Sequence, residues 1–181
     1  MLDATTRQTL LDQLQSADGD ALQAMEFPYL RSPDQDAPAP VRHPVVIVGA
    51  GPAGLSLAID LAQRGQPVVV VDNDKHLSVG SRALCFSKRT LEIWDRLGLG
   101  ERAVQKGVAW KVGKVFEGAG TEPVYQFDLL PEDGHQRPAF VNLQQYYAEA
   151  FLLERALQLP LIDIRWLHKV ETVQRHGDYS E

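Results

Sequence analysis

The chain has 181 residues and a net charge of −6, with 44% apolar and 23% charged residues. That length suits one ordinary domain with its own core, and the composition is that of a globular protein. There is no basic stripe for nucleic acid and no apolar run of the ~20 residues that a membrane span needs. The lone cysteine, Cys85, excludes an internal disulfide and suits a reducing, cytoplasmic setting.

The first forty residues carry most of the negative charge: Asp3, Asp12, Asp18, Asp20, Glu26, Asp34 and Asp36 stand against Arg7 and Arg31. This polar, acidic start reads as neither a signal nor a transit peptide. Leucines at 10, 11, 14 and 22 predict one or two short helices over residues 5–25, interrupted at Gly19. Phe27-Pro28-Tyr29-Leu30 reads as a small apolar anchor. Ser32 to Pro44 holds four prolines and several acids and reads as an extended linker. Residues 1–43 are therefore taken as an N-terminal extension, packed on the main domain or on a partner, and residues 44–181 as the main domain.

Val45 to Asp72 is the most informative stretch. Val45 to Val48 is a continuous β-branched run, expected of a parallel strand buried on both faces. Gly49-Ala50-Gly51-Pro52-Ala53-Gly54 follows, then a helix with Leu55, Ala58, Leu61 and Ala62 on one side and Gly65 as its stop. Val68 to Val71 makes a second strand, which ends at Asp72. In a dinucleotide-binding turn the first glycine allows the tight bend, the second lets the backbone approach a pyrophosphate, and the third lets the helix lie close on the sheet. The helix N-terminus then faces the phosphates with free N–H groups. Asp72, followed by Asn73, falls where a carboxylate would accept the hydroxyls of an adenosine ribose; it would repel a 2′-phosphate. The motif alone does not separate FAD from NAD.

Beyond this unit, Asn73 to His76 is a polar loop. Gly80-Ser81-Arg82-Ala83 leads to a helix capped by Ser87, with Leu91, Trp94 and Leu97 on one face and Gly98 as its stop. Arg89, Glu92 and Arg96 read as a solvated face, whereas Arg82 reads either as a surface arginine or as a phosphate ligand. Cys85 reads as a small buried hydrophobe. Val108 to Phe116 and Val124 to Leu129 are expected to be two antiparallel strands of a second sheet spanning 107–130. Pro131 to Arg137 is a loop. Asn142 to Gln158 has helical spacing, and Ile162 to Val173 reads as one or two strands with a break near His168. The five histidines are scattered with no metal-ligand spacing, and no nucleophile motif occurs. No side chain is assigned as catalytic, so the chemistry would come from a cofactor.

The run from Pro44 to Trp166 resembles the FAD-dependent aromatic hydroxylases, single-component flavoprotein monooxygenases, and most closely their 3-(3-hydroxyphenyl)propionate hydroxylase-like branch. Val45 to Gly54 with Asp72, Gly80 to Ala83, Lys88 to Ile93, and Asn142-Leu143-Gln144-Gln145 carry the resemblance. It implies an α/β fold: a Rossmann-like FAD-binding domain with a parallel sheet and helices, plus part of an antiparallel substrate-domain sheet. The implied cofactor contacts are Gly49, Ala50, Gly51, Pro52, Ala53, Gly54, Asp72 and Asn73. Arg82 would lie along the pyrophosphate and ribose, and Gln145, with Gln144 as the alternative, would bond the ribityl side of the flavin. The family acid after the second strand is more often Glu. The resemblance also implies NAD(P)H as a transient co-substrate and oxygen transfer to a small phenolic ring through a flavin C4a-hydroperoxide. The family's later Asp-Gly and Gly-Asp segments are not matched here, since Asp133-Gly134 and Gly177-Asp178 lack the flanking strands. Two other readings stay open: a truncated, non-catalytic FAD-binding or interaction module, and another FAD oxidoreductase with the same N-terminal half.

Overall fold

The computed structural model describes residues 2–79 and 82–181. The chain forms two compact units, Met1–Gly80 with Tyr146–Glu181, and Ser81–Gln145. Of the Gly80-to-Ala83 loop, Gly80 and Ser81 lie outside the described residues.

In the first unit, α1 (Ala4–Ser16) is capped by the Asp3 carboxylate, which accepts from Thr6 N. Gly19, at φ 49°, turns the chain into the short α2 (Asp20–Gln23). The stretch read as an extended linker contains a 3₁₀ turn, Pro33–Asp36, because Ser32 and Gln35 form a reciprocal capping box around it. Strand β1 (Val46–Val48), helix α3 (Pro52–Gln63) and strand β2 (Val68–Val71) follow, then α6 (Gln145–Leu157) and β8 (Ile162–Arg165) after the second unit's residues. The sheet is parallel in the order β1-β2-β8, with Val46 opposite Val69 and Val69 opposite Asp163.

The central strand β2 is buried at Val68, Val69 and Val70, as an unbroken valine run predicts. The expectation for β1 is corrected: it is an edge strand, and only Ile47 is buried, while Val46 is 52% and Val48 62% exposed. β-Branched sequence specifies a strand but not what covers it, and among the described residues β1 has a neighbour on one side alone. Leu55, Ala58, Ile59 and Ala62 form the buried face of α3, and Gly65, at φ 80°, ends it. After β8 the expected further strand does not form: Trp166 and Leu167 make a turn, with Leu167 at φ 59°, and beyond it only an isolated bridge joins Arg175 and Ser180.

An ion-pair network joins the stretch around the 3₁₀ turn to the sheet. Asp34 Oδ2 accepts from His43 Nε2 and from Arg165 Nη1, each at 2.6 Å, and Arg165 also binds Asp163 at 2.8 Å. Burial pushes the Asp34 carboxyl up, but the hydrogen bonds from Arg165 and His43 outweigh it and hold it below the usual carboxylate range.

In the second unit, β3 (Cys85–Ser87) leads directly into α4 (Lys88–Leu97). Ser87 caps α4, Leu91, Trp94 and Leu97 are buried, and Gly98 ends it in the left-handed region. Lys88 and Arg89 pair with Glu92 on its outer side, as expected of a solvated face. The short α5 (Gly100–Lys106) was not foreseen. The expected single strand over 108–116 is corrected to two, β4 (Val108–Trp110) and β5 (Val112–Val115), which separate at Lys111 and join different sheets. Strand β5 pairs antiparallel with β6 (Tyr125–Asp128), where the Phe127 ring occupies the space that a side chain at Gly113 would need. Strand β4 pairs instead with β7 (Phe140–Asn142), which also pairs with β3. Asn142, read as the start of a helix, therefore belongs to a strand, and α6 begins three residues later. Arg137, 7% exposed, binds both Asp95 and Glu101, and these bonds raise its pKa further.

Cys85 is exposed, correcting its reading as a buried hydrophobe. Strand alternation puts Phe86 inward and Cys85 outward. Its Sγ donates to Asn142 Oδ1 at 3.0 Å, and the same oxygen accepts from Trp110 Nε1 at 2.8 Å.

Replacing Asp34 by Asn is expected to destabilise the protein by about 1–2 kcal/mol near neutral pH, because Arg165 loses one of its two charged partners, the half-buried Asp34. Since the folded-state pKa of Asp34 lies below its unfolded value, its stabilisation is present above the ordinary carboxylate pKa and lost as pH falls through the lowered one. Urea unfolding of both proteins at about pH 7 and about pH 3 should show the gap narrowing in acid; a gap that is unchanged would refute this role.

Candidate functional site

The glycine turn is built by backbone contacts. Gly49 takes φ 104°, which a β-carbon disfavours, and its N–H continues the ladder by donating to Val71 O at 2.8 Å. Helix α3 begins within three residues. A β-carbon at Gly54 would collide with the Gly49 carbonyl oxygen and press on Ile47. Glycine at 54 is thus a packing requirement, as its expected role demands. At Gly51 the reverse holds: φ is −77°, any residue could adopt the backbone, and among the described residues no atom beyond its chain neighbours lies within 4 Å of where a β-carbon would be. Among the described residues, neither packing nor backbone conformation requires a glycine there.

Helix α3 carries no side-chain cap at Gly51, and Pro52 fills its first position. The amides of Ala53 and Gly54 have no carbonyl one turn earlier within the helix, so they open toward the turn with the positive end of the helix dipole. Open space over Gly51 and donors from the first turn are features that suit a dinucleotide's pyrophosphate.

Asp72 stands half-buried beside this cradle. Its Oδ2 accepts from Ala50 N at 2.6 Å and its Oδ1 from Asp74 N at 2.8 Å. The acid after β2 is therefore tied to the glycine turn after β1. Each carboxylate oxygen can accept a further hydrogen bond, so ribose hydroxyls are compatible with both existing bonds. Asn73 is exposed in the adjoining bend. These residues, Gly49 to Gly54 with Asp72 and Asn73, lie together in the first unit. The other two expected contacts lie in the second. Arg82 is exposed. Gln145 is half-buried, and its Oε1 accepts from Ala83 N at 3.1 Å, fastening the segment that follows Arg82. The alternative, Gln144, is exposed. Among the described residues no group of three or more His, Cys, Asp or Glu could hold a metal ion, and no helix is long and apolar enough to cross a membrane.

Sequence reasoning missed the bond from Ala50 N to Asp72. The spacing of acid and glycine turn signals their proximity, but not which amide the acid would take.

A parallel strand–glycine turn–helix–strand unit ending in an acid defines an α/β dinucleotide-binding domain. The model of the FAD binding domain family matches residues 42–181, and the chain belongs to that family. It is 31% identical over 137 residues to para-nitrophenol 4-monooxygenase of Pseudomonas sp. strain WBC-3, covering 75% of this chain and 34% of that protein. It is also 31% identical over 140 residues to a probable NADH-specific resorcinol 4-hydroxylase of Rhodococcus jostii strain RHA1, covering 74% and 25%. The crystal structure of p-nitrophenol 4-monooxygenase PnpA from Pseudomonas putida DLL-E4 superposes with a TM-score of 0.68 at 31% identity, covering 76% of this chain and 35% of that one. The chain thus spans about a third or less of the length of these relatives.

Two substitutions separate packing from ligand roles. Gly54→Ala adds one carbon and is expected to cost about 1–3 kcal/mol, because backbone must move. Gly51→Val adds three carbons yet should cost about 1 kcal/mol or less, since the space is open and the backbone extended. Thermal or urea unfolding measures both; a larger loss for Gly51→Val would contradict the assignment.

Proposed function

We propose that this chain is the FAD-binding portion of a cytoplasmic, NAD(P)H- and O₂-dependent monooxygenase that hydroxylates a small phenolic ring. The observation that carries this reading is Gly51, where open space meets a bare backbone at the start of α3. The pyrophosphate would lie along Gly49 to Gly54, accepting from the amides of Ala53 and Gly54. Asp72 would hold the adenosine ribose, with Asn73 beside it. Arg82 would neutralise phosphate charge, and Gln145 would bond the ribityl chain through the part of its amide not engaged with Ala83. The redox chemistry of hydroxylation is what FAD supplies when bound, with NAD(P)H as reductant and O₂ as oxidant.

Two named relatives, a para-nitrophenol monooxygenase and a resorcinol hydroxylase, support a small phenol as the substrate class. The match of Gly80 to Ala83 and Asn142 to Gln145 supports the 3-(3-hydroxyphenyl)propionate hydroxylase-like branch. The exposed antiparallel pair β5–β6 would contribute to the substrate side.

The test is to express this chain with whatever coding sequence follows Glu181 in frame. The product should be yellow and oxidise NAD(P)H faster when a phenol is added; a colourless product that takes up no FAD overturns the proposal. The 181 residues alone are expected to bind FAD weakly, because the chain spans only about a third of its relatives. Gly51→Val should abolish that binding, whereas Cys85→Ser, whose hydroxyl can still donate to Asn142, should leave it intact. Equal binding by Gly51→Val and wild type in a fluorescence titration would remove the pyrophosphate assignment.

A further inference from the structure

The family match begins at residue 42, so residues 26–29 lie outside it, yet they are built onto the loop that carries Asp72. Phe27 N donates to Lys75 O at 2.7 Å, and Glu26 and His76 form an antiparallel bridge. Glu26 Oε1 binds Lys75 Nζ at 2.7 Å and His76 Nε2 at 3.3 Å. The hydrogen bonds from Lys75 and then His76 lower the Glu26 pKa, so the carboxylate stays ionised at neutral pH. Phe27 is 1% exposed and stacks on Trp166 with ring centroids 4.4 Å apart. Tyr29 stacks on His168 at 5.1 Å.

The same loop is held from its other side. His168 N donates to Asp72 O at 2.8 Å, and Leu167 N to Asp74 O at 3.3 Å. Within the loop, Asp74 Oδ1 accepts from Lys75 N at 2.7 Å, and Asp74 N donates to Asp72 Oδ1. Residues 26–29 therefore touch two of the supports of Asp72, beside the Ala50 amide on its carboxylate and the Arg165 carbonyl on its N–H. Glu26 and Phe27 fix the loop directly, and Phe27 and Tyr29 fix the turn whose His168 amide bonds the Asp72 carbonyl.

We propose that Glu26, Phe27 and Tyr29 form a strap that positions the Asp72 carboxylate for the adenosine ribose. This rests on the reading of Asp72 given under Proposed function. The strap residues touch no ligand; they are positioning residues. The Ala50 amide holds one carboxylate oxygen and the loop's Asp74 amide the other; a loop free at one end would loosen the second bond, and a directed hydrogen bond weakens as its angle opens. The strap restricts that freedom before ligand arrives, which favours binding by reducing the ordering required.

The test uses the full 181-residue chain with ADP and 2′-deoxy-ADP as probes, followed by calorimetry or NMR titration. In wild type the ribose hydroxyl should favour ADP by about tenfold, the order expected of a hydrogen bond to a charged group. The double variant Glu26→Ala/Tyr29→Ala alters two exposed side chains and leaves buried Phe27 in place. It should bring the preference to about threefold or less, while affinity for 2′-deoxy-ADP changes by less than about twofold. Glu26→Gln, whose amide oxygen can still accept from Lys75, should keep most of the preference. General destabilisation would weaken both nucleotides alike, and circular dichroism reports it separately; if the double variant unfolds, Glu26→Ala alone should still lower the preference. A folded variant that retains the full preference overturns the strap. A wild type that binds neither nucleotide, or binds both equally, instead overturns the ribose reading of Asp72 and the strap with it.

Discussion

Helix α3 can start directly at the end of β1 because position 54 has no β-carbon to meet the carbonyl oxygen of Gly49. That close approach fixes the rest of the site. It points the first-turn amides at the bend. The space over Gly51 is open. Val68 to Val70 of β2, Ile47 of β1 and the apolar face of α3 supply the burial that holds the two backbones together. The cradle itself is made of main chain, so its chemistry is that of N–H groups and a dipole rather than of titrating side chains.

A second constraint runs across the sheet. The Asp72 carboxylate takes the Ala50 amide, so the end of β2 and the bend after β1 are one hydrogen-bonded piece. The N-terminal segment reaches this piece from outside the family match, through stacking of Phe27 on Trp166 and through Glu26. Farther along, Arg165 on β8 binds Asp34. Arg7 donates to the carbonyls of Leu157, Leu159 and Ile162, where α6 gives way to β8. Residues 2–43 are thus tied to the sheet at several points along their length.

Much of this was legible in the residues. Gly49, Gly54, a flanking pair of β-branched runs and a terminal acid specify the bend because each answers a local steric or hydrogen-bonding need. Ser87 and Gly98 mark the ends of α4 for the same reason, and of the anchor read in Phe27 to Leu30, Phe27 is buried, whereas Pro28, Tyr29 and Leu30 are exposed. What stayed hidden depends on distant neighbours. A valine run does not reveal whether its strand has one partner or two, so the exposure of Val46 and Val48 was not foreseen. Lys111 does not reveal that β4 and β5 join different sheets, since that choice is made by β7 and β6. The outward position of Cys85 was within reach of sequence, because Phe86 beside it claims the inward side of the strand. The bond from Ala50 to Asp72 was not, because geometry rather than residue type selects the amide.

The central claim is that the bare main chain from Gly49 to Gly54 receives a diphosphate. Backbone amide shifts of the isotopically labelled 181-residue chain, followed during titration with ADP, test it most directly. Saturable shifts concentrated in residues 49–55 and 72–74 are predicted. Shifts concentrated elsewhere, or none up to millimolar nucleotide, would contradict it.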